Sequence, residues 1–131
     1  MHSLTLAVLE GVSYGIGELL SRAYQPLGNA EMLRVTGGDS RSVIWMQVLA
    51  DVLNLPVAQL DSQTGAALLA ARACGEALAD PVGVAPALRV FVPRPALTAR
   101  YAEKYERYGR VYTVFQRICE GNAPAAALFP D

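Results

Sequence analysis

The stretch VTGGDSRSVIWMQVLADVLNLPV, residues 35–57, carries the reading of the fold. Met32 to Thr36, which leads into it, is short and rich in residues that suit a strand. Gly37 and Gly38 stop that strand. Ser40 or Ser42 then offers a side-chain oxygen to cap a helix, and Ile44, Val48, Leu49 and Val52 give it an apolar face as far as about Asn54. Pro56-Val57-Ala58 reads as a second short strand. Strand, helix and strand in this order predict a layered α/β arrangement.

Upstream, from Leu4 to about Tyr24, apolar residues fall at Leu6, Leu9, Ile16, Leu19, Leu20 and Ala23, the spacing of a helix. Gly11, Gly15 and Gly17 each weaken it by roughly 1 kcal/mol relative to alanine, which points to close packing against a neighbour. Pro26 and Gly28 end the element. Downstream, Thr64 is placed to cap a helix over Gly65 to Ala79, whose alanines suit tight packing. Pro81, Pro86, Pro93 and Pro95 mark an irregular stretch or linker.

The last element lies within residues 91–120, its helix starting near Thr98, and residues 121–131 read as a tail. Tyr101, Tyr105, Tyr108, Tyr112 and Phe115 recur at steps of four and three, so they share one helix face and predict core or docking surface. Glu103, Lys104, Glu106, Arg107 and Arg110 fall on the opposite, solvated face. Two short strands make a poor sheet with exposed edges. The chain is therefore read as a single partial domain: a piece of a larger unit, or one that completes its sheet with another copy or subunit.

Composition narrows the function classes. With 131 residues, 53% hydrophobic and 18% charged, the chain has the makings of one folded core. Eleven basic and twelve acidic residues leave a formal charge of −1, which gives no electrostatic reason to expect nucleic acid or an anionic membrane as partner. Charge, glycine and proline interrupt the apolar runs before the ~20 residues of a membrane span. Cys74, Cys119 and the lone His2 build no metal-ligand spacing, and the thiols read as reduced groups on helix faces, in keeping with a cytoplasmic protein.

The Gly37-Gly38 pair between strand and helix is the feature with chemical content. Glycine lets a ligand come close to the backbone because no Cβ stands in the way. The helix that follows offers N–H donors and a partial positive charge to a phosphate or hydroxyl. A plain turn is the commoner outcome of such a pair, and a nucleotide loop is the alternative. No dinucleotide fingerprint, Walker-type loop or nucleophile–histidine pair follows. Glu10, Glu18, Glu31, Asp39, Asp51 and Asp61 show no evident acid–base pairing along the chain.

Four segments resemble one family in the same order. LAVLEGVSYGI at 6–16 is similar to the Arg-Ala-x-x-Glu-Gly-Val-Ala helix of FGGY carbohydrate kinases. Residues 35–57 resemble their adenosine-motif segment, often Gly-Gly-Gly-Ala-x-Ser-x-x-Trp-x-Gln-x-x-Ala-Asp-x-x-Gly-x-Pro-Val. TGAALLAARAC at 64–74 resembles the alanine- and glycine-rich helix after it. FVPRPALTARYAEKYERYGRVY at 91–112 resembles the terminal proline-then-tyrosine segment, in the form seen in xylulose kinase-like members.

The resemblance implies part of an actin-like, ribonuclease H-like ATPase domain, helix-rich with a small sheet. It implies ATP as cofactor, with Mg bound outside this chain, and transfer of the γ-phosphoryl group to a sugar, a pentulose such as xylulose. The amino-terminal domain, with the sugar pocket and catalytic aspartate, has no counterpart here, so no kinase activity is expected from this chain alone. Pairing with an amino-terminal kinase half, or a homo-oligomer, is the expected assembly.

Carried over by motif position, Gly37 and Gly38 would lie against the ribose and phosphates and Ser42 near the adenine edge. Gln47 and Asp51 fall on the following helix, as ligand contacts or as groups that hydrogen-bond behind the site. Trp45 is expected in the core rather than as a platform for adenine. Asp39 stands where the family often has glycine or alanine, and a carboxylate facing the phosphates would repel them. Leu6 replaces the usual arginine, and Leu69 a common packing glycine.

Overall fold

A helix whose two broad faces are both apolar belongs in the middle of a structure, and α2 (Val43–Leu53) holds that place. In this computed structural model residues 2–27, 30–60, 70, 73–75, 87–122 and 124 are described. Around α2 are arranged α1 (His2–Leu27), β1 (Leu33–Val35), β2 (Val57–Gln59), β3 (Arg89–Phe91) and α3 (Pro95–Cys119).

The three strands form one sheet in the order β1-β2-β3. β1 and β2 run parallel, with Leu33 opposite Val57 and Val35 opposite Gln59, as a strand–helix–strand crossover requires. β3 returns antiparallel, with Phe91 opposite Val57 and Arg89 opposite Gln59. One face of α2 packs on this sheet: Met46, Leu49 and Ala50 meet Val57 and Phe91, with Ile16, Leu33, Val35 and Trp45 closing the cluster. Its other face carries Val48 and Val52 against Tyr14 of α1 and Tyr101 of α3.

α1 and α3 lie side by side and parallel. Their contacts advance in step, from Glu10 with Lys104 to Arg22 with Gln116, each pair 94 residues apart. The glycines of α1 serve this approach: a Cβ on Gly17 would stand 2.9 Å from the Tyr105 hydroxyl, and one on Gly15 3.6 Å from that of Tyr108. A Cβ on Gly11 would meet none of the described residues within 4 Å, so close packing there does not account for it.

Several expectations are corrected. The proline-marked stretch is not irregular throughout, because β3 forms at Arg89–Phe91 by pairing with β2. Pro95 does not precede the last helix but opens it, where a missing N–H costs nothing and the fixed φ already suits a helix. α1 runs to Leu27, past Pro26. Lys104 leaves the solvated face to pair with Glu10, while Glu103–Arg107 and Glu106–Arg110 remain exposed pairs one turn apart. The tyrosine stripe is core from Tyr101 to Tyr108, and Phe115 at its end is exposed. Both thiols are free and exposed, Cys119 closing α3. Most of the helix expected over 65–79, Leu69 included, and most of the tail lie outside the described residues.

Leu4–Arg22 is long and apolar enough to cross a membrane by length and composition, with a mean hydropathy of 1.2. Its Glu10, Tyr14 and Gly17 are nevertheless packed against α2 and α3.

Candidate functional site

The loop after β1 is built around one glycine conformation. Gly37 has φ +106° and ψ 178°, a region open essentially to glycine alone. Gly38 then begins a 3₁₀ turn, Gly38–Arg41. Ser40 is buried beneath the turn, and its Oγ and backbone N–H both donate to the Gly37 carbonyl, at 2.7 and 3.2 Å. The Ser42 N–H donates to the Asp39 carbonyl at 3.0 Å. Ser42 Oγ accepts from the Trp45 N–H at 3.3 Å and so caps α2. Sequence offered Ser40 or Ser42 as the cap; Ser42 caps, and Ser40 closes the loop.

A Cβ placed on Gly37 or Gly38 would meet none of the described residues within 4 Å, so backbone with open space before it faces outward at this turn. That geometry fits a nucleotide that approaches the main chain closely. Asp39 is exposed at the start of the turn, and its charge opposes an anion there. Among the described residues no three His, Cys, Asp or Glu side chains are grouped to hold a metal ion.

Gln47 is committed elsewhere. Its Nε2 donates to Asp51 Oδ1 at 3.1 Å and to the Val92 carbonyl at 2.9 Å. Asp51, fully buried, also accepts from the Arg94 backbone N–H at 2.8 Å and from Arg94 Nε and Nη2 at 3.1 and 2.6 Å. The guanidinium is held firmly charged, chiefly by its hydrogen bond to Asp51. Together these bonds fasten the β3–α3 connection to the middle of α2. Gly37, Gly38, Asp39 and Ser42 thus gather at one turn, while Gln47 stands a turn further along α2, joined to Asp51.

Gln47 also lines a cleft of about 510 Å³ between α1, α2 and α3, with Glu10, Arg94, Arg100 and Lys104 around an apolar floor that includes Val48 and Leu97. Glu10 binds Lys104 Nζ through both oxygens, at 2.9 and 3.1 Å. Neither ion pair was legible in the sequence, since each joins residues on elements far apart. The one local signal was the four-residue step from Gln47 to Asp51, which puts both on one helix face. Trp45 packs half-buried against the core, as expected.

Known proteins share this fold. A xylulose kinase from Brucella ovis superposes with a TM-score of 0.65 at 35% identity, over 88% of this chain and 25% of its own. The ligand-bound xylulose kinase of Lactobacillus acidophilus does so with a TM-score of 0.67 at 26% identity, over 82% of this chain and 23% of its own. The fold is part of an actin-like ATPase domain, helix-rich with a small sheet. The model for the C-terminal domain of the FGGY family of carbohydrate kinases matches residues 1–74, and the chain belongs to that family. A probable L-xylulose kinase of Pasteurella multocida is 37% identical over 119 residues, which are 88% of this chain and 24% of that protein. The chain thus spans about a quarter of the length of these relatives.

Proposed function

We propose that this chain supplies the ATP-binding portion of a carbohydrate kinase, xylulose kinase-like, that passes the γ-phosphoryl group of ATP to a sugar hydroxyl. The open, glycine-only turn at Gly37 and Gly38, ahead of the capped helix α2, carries the reading. The two glycines bring main-chain N–H groups and the α2 dipole toward the ribose and phosphates. Ser42 sits near the adenine edge. Gln47 acts on the site through Asp51, holding α2 in place rather than touching the nucleotide.

Phosphoryl transfer depends on several groups held in position together, with Mg and a base to handle charge and proton. Those groups belong to the portion of the kinase that this chain does not span, and activity requires that portion. A pentulose is the sugar that the kinship favours, and a cytoplasm, with its ATP, is the compartment.

Calorimetric titration of the 131-residue chain with Mg·ATP and Mg·ADP tests the reading. Saturable binding by the chain supports it. No binding, either by the chain or by an Asp39→Gly variant, removes it in favour of a second reading, a non-catalytic interaction module derived from a sugar kinase. Asp39 in the loop is the observation that favours that alternative.

A further inference from the structure

Among the described residues, none covers one apolar side of α1. Glu10, Ser13, Tyr14 and Gly17 turn inward and are buried. Leu4, Val8, Val12 and Leu19 are 73, 59, 49 and 67% exposed. Steps of four, four and seven residues keep these four in one row along a helix, opposite the packed face. Charge does not interrupt the row: Glu10 is drawn to Lys104, Arg22 to Gln116, and the Glu18 carboxylate lies toward Gly109 on α3. An exposed apolar row opposite the packed face of a helix marks an interface.

The kinship bears on what covers it. Residues 1–74, α1 included, match the carboxy-terminal domain of the family, so the row lies on family sequence and not on an appendage. The chain nevertheless spans only 24% of its Pasteurella relative, so most of such a kinase lies beyond it. A membrane is the poorer occupant, because insertion of Leu4–Arg22 would part Glu10 from Lys104 and Gly17 from Tyr105. We propose that the row Leu4, Val8, Val12 and Leu19 is the docking surface for the amino-terminal portion of an FGGY-type carbohydrate kinase, which meets it with an uncharged apolar face. This rests on the kinase reading above.

The probe is the probable L-xylulose kinase of Pasteurella multocida truncated to remove the stretch that this chain matches, co-expressed with the full 131-residue chain. The two are expected to co-elute, and amide exchange in the first half of α1 to slow by about tenfold or more in the complex. Val8→Glu with Val12→Glu should abolish co-elution while the circular dichroism of the chain stays unchanged, because both side chains are exposed. Val111→Glu, at another exposed apolar position on α3, should leave the complex intact.

The proposal is overturned if the unaltered chain forms no complex, if Val8→Glu with Val12→Glu leaves the complex whole, or if Val111→Glu breaks it equally. It is also overturned if the row holds a homodimer of the chain, or binds phosphatidylcholine vesicles, and the same pair of substitutions removes that. Nucleotide binding by the isolated chain speaks to the kinase reading and complex formation to the docking surface, so either can fail without the other.

Discussion

Nη2 of Arg94 lies 2.6 Å from Oδ2 of Asp51, a carboxylate with no exposed surface, and joins two elements that are 43 residues apart in sequence. All the groups that surround this carboxylate are donors: Arg94 side chain, Arg94 main chain and Gln47 amide. Asp51→Asn keeps the shape but turns an NH₂ toward donors, and should cost about 3 kcal/mol, the low end for a broken buried pair because Arg94 is half exposed. Gln47→Ala should cost about 1 kcal/mol, since Asp51 keeps Arg94. Urea denaturation gives both values. Equal and small losses would show that the pair does not hold α3 in place.

Gly11 and Gly17 lie in the same helix with opposite surroundings. A methyl group on Gly11 meets nothing, so Gly11→Ala should gain the helix-propensity difference of about 1 kcal/mol. On Gly17 it would stand 2.9 Å from the Tyr105 hydroxyl and 3.1 Å from the ring carbon that bears it. Tyr105 is itself stacked on Tyr14 and cannot retreat freely. Gly17→Ala should therefore lose about 1 kcal/mol or more despite the same propensity gain. Thermal denaturation of the two variants checks the contrast, and a Gly17→Ala protein as stable as Gly11→Ala would mean that the helices do not meet there.

The tyrosines between α1 and α3 predict an alkaline limit. Burial, with the Glu10 carboxylate adding to it, pushes Tyr14 up to about 12, and burial beside Glu18 does the same for Tyr105. Tyr101 and Tyr108 shift the same way, again chiefly through burial. In the unfolded chain these groups ionise near the ordinary 10.0, so the unfolded state releases protons first as pH rises. Their contribution to stability is complete below pH 10 and is lost as pH approaches about 12. Among the described residues, the buried Tyr14 hydroxyl also has no hydrogen-bond partner. Tyr14→Phe should accordingly raise neutral-pH stability by about 1 kcal/mol and flatten the alkaline fall. Denaturant midpoints at pH 8 to 12 that match in the two proteins would contradict this.

The parts of the fold legible in the sequence are those specified by neighbouring residues. β1, the glycine turn, the Ser42 cap and α2 follow one another within about twenty residues, and each is announced by its own chemistry. β3 was hidden because four prolines around it outweigh the strand preference of Val90 and Phe91, and only the ladder with Val57–Gln59 makes it a strand. Asp51–Arg94 and Glu10–Lys104 were hidden because helix periodicity places a charge on a face without saying what comes to meet it. At the site, Gly37 was legible as a stop after a strand, whereas its φ of +106°, which makes it irreplaceable, is set by the turn that Ser40 closes beneath it.

That turn sets the last prediction. Asp39 is exposed, and its carbonyl is tied to the Ser42 N–H, so the backbone under its side chain is fixed whatever side chain it carries. Asp39→Gly then changes the charge of the loop and little of its shape. Two unit charges 4 Å apart in water interact by about 1 kcal/mol, and a triphosphate presents several, so the variant should bind Mg·ATP about five- to tenfold more tightly at low ionic strength. In about 1 M salt, where the Debye length falls to about 3 Å, the gain should nearly vanish. Adenosine, which brings no phosphate, should bind both proteins alike. Gly37→Ala should weaken both ligands, because no alanine rests easily at φ +106°. Calorimetry at the two ionic strengths separates these cases. An Asp39→Gly protein that gains affinity for adenosine as much as for Mg·ATP would mean that the substitution acts on the shape of the loop, and that the carboxylate does not face phosphate.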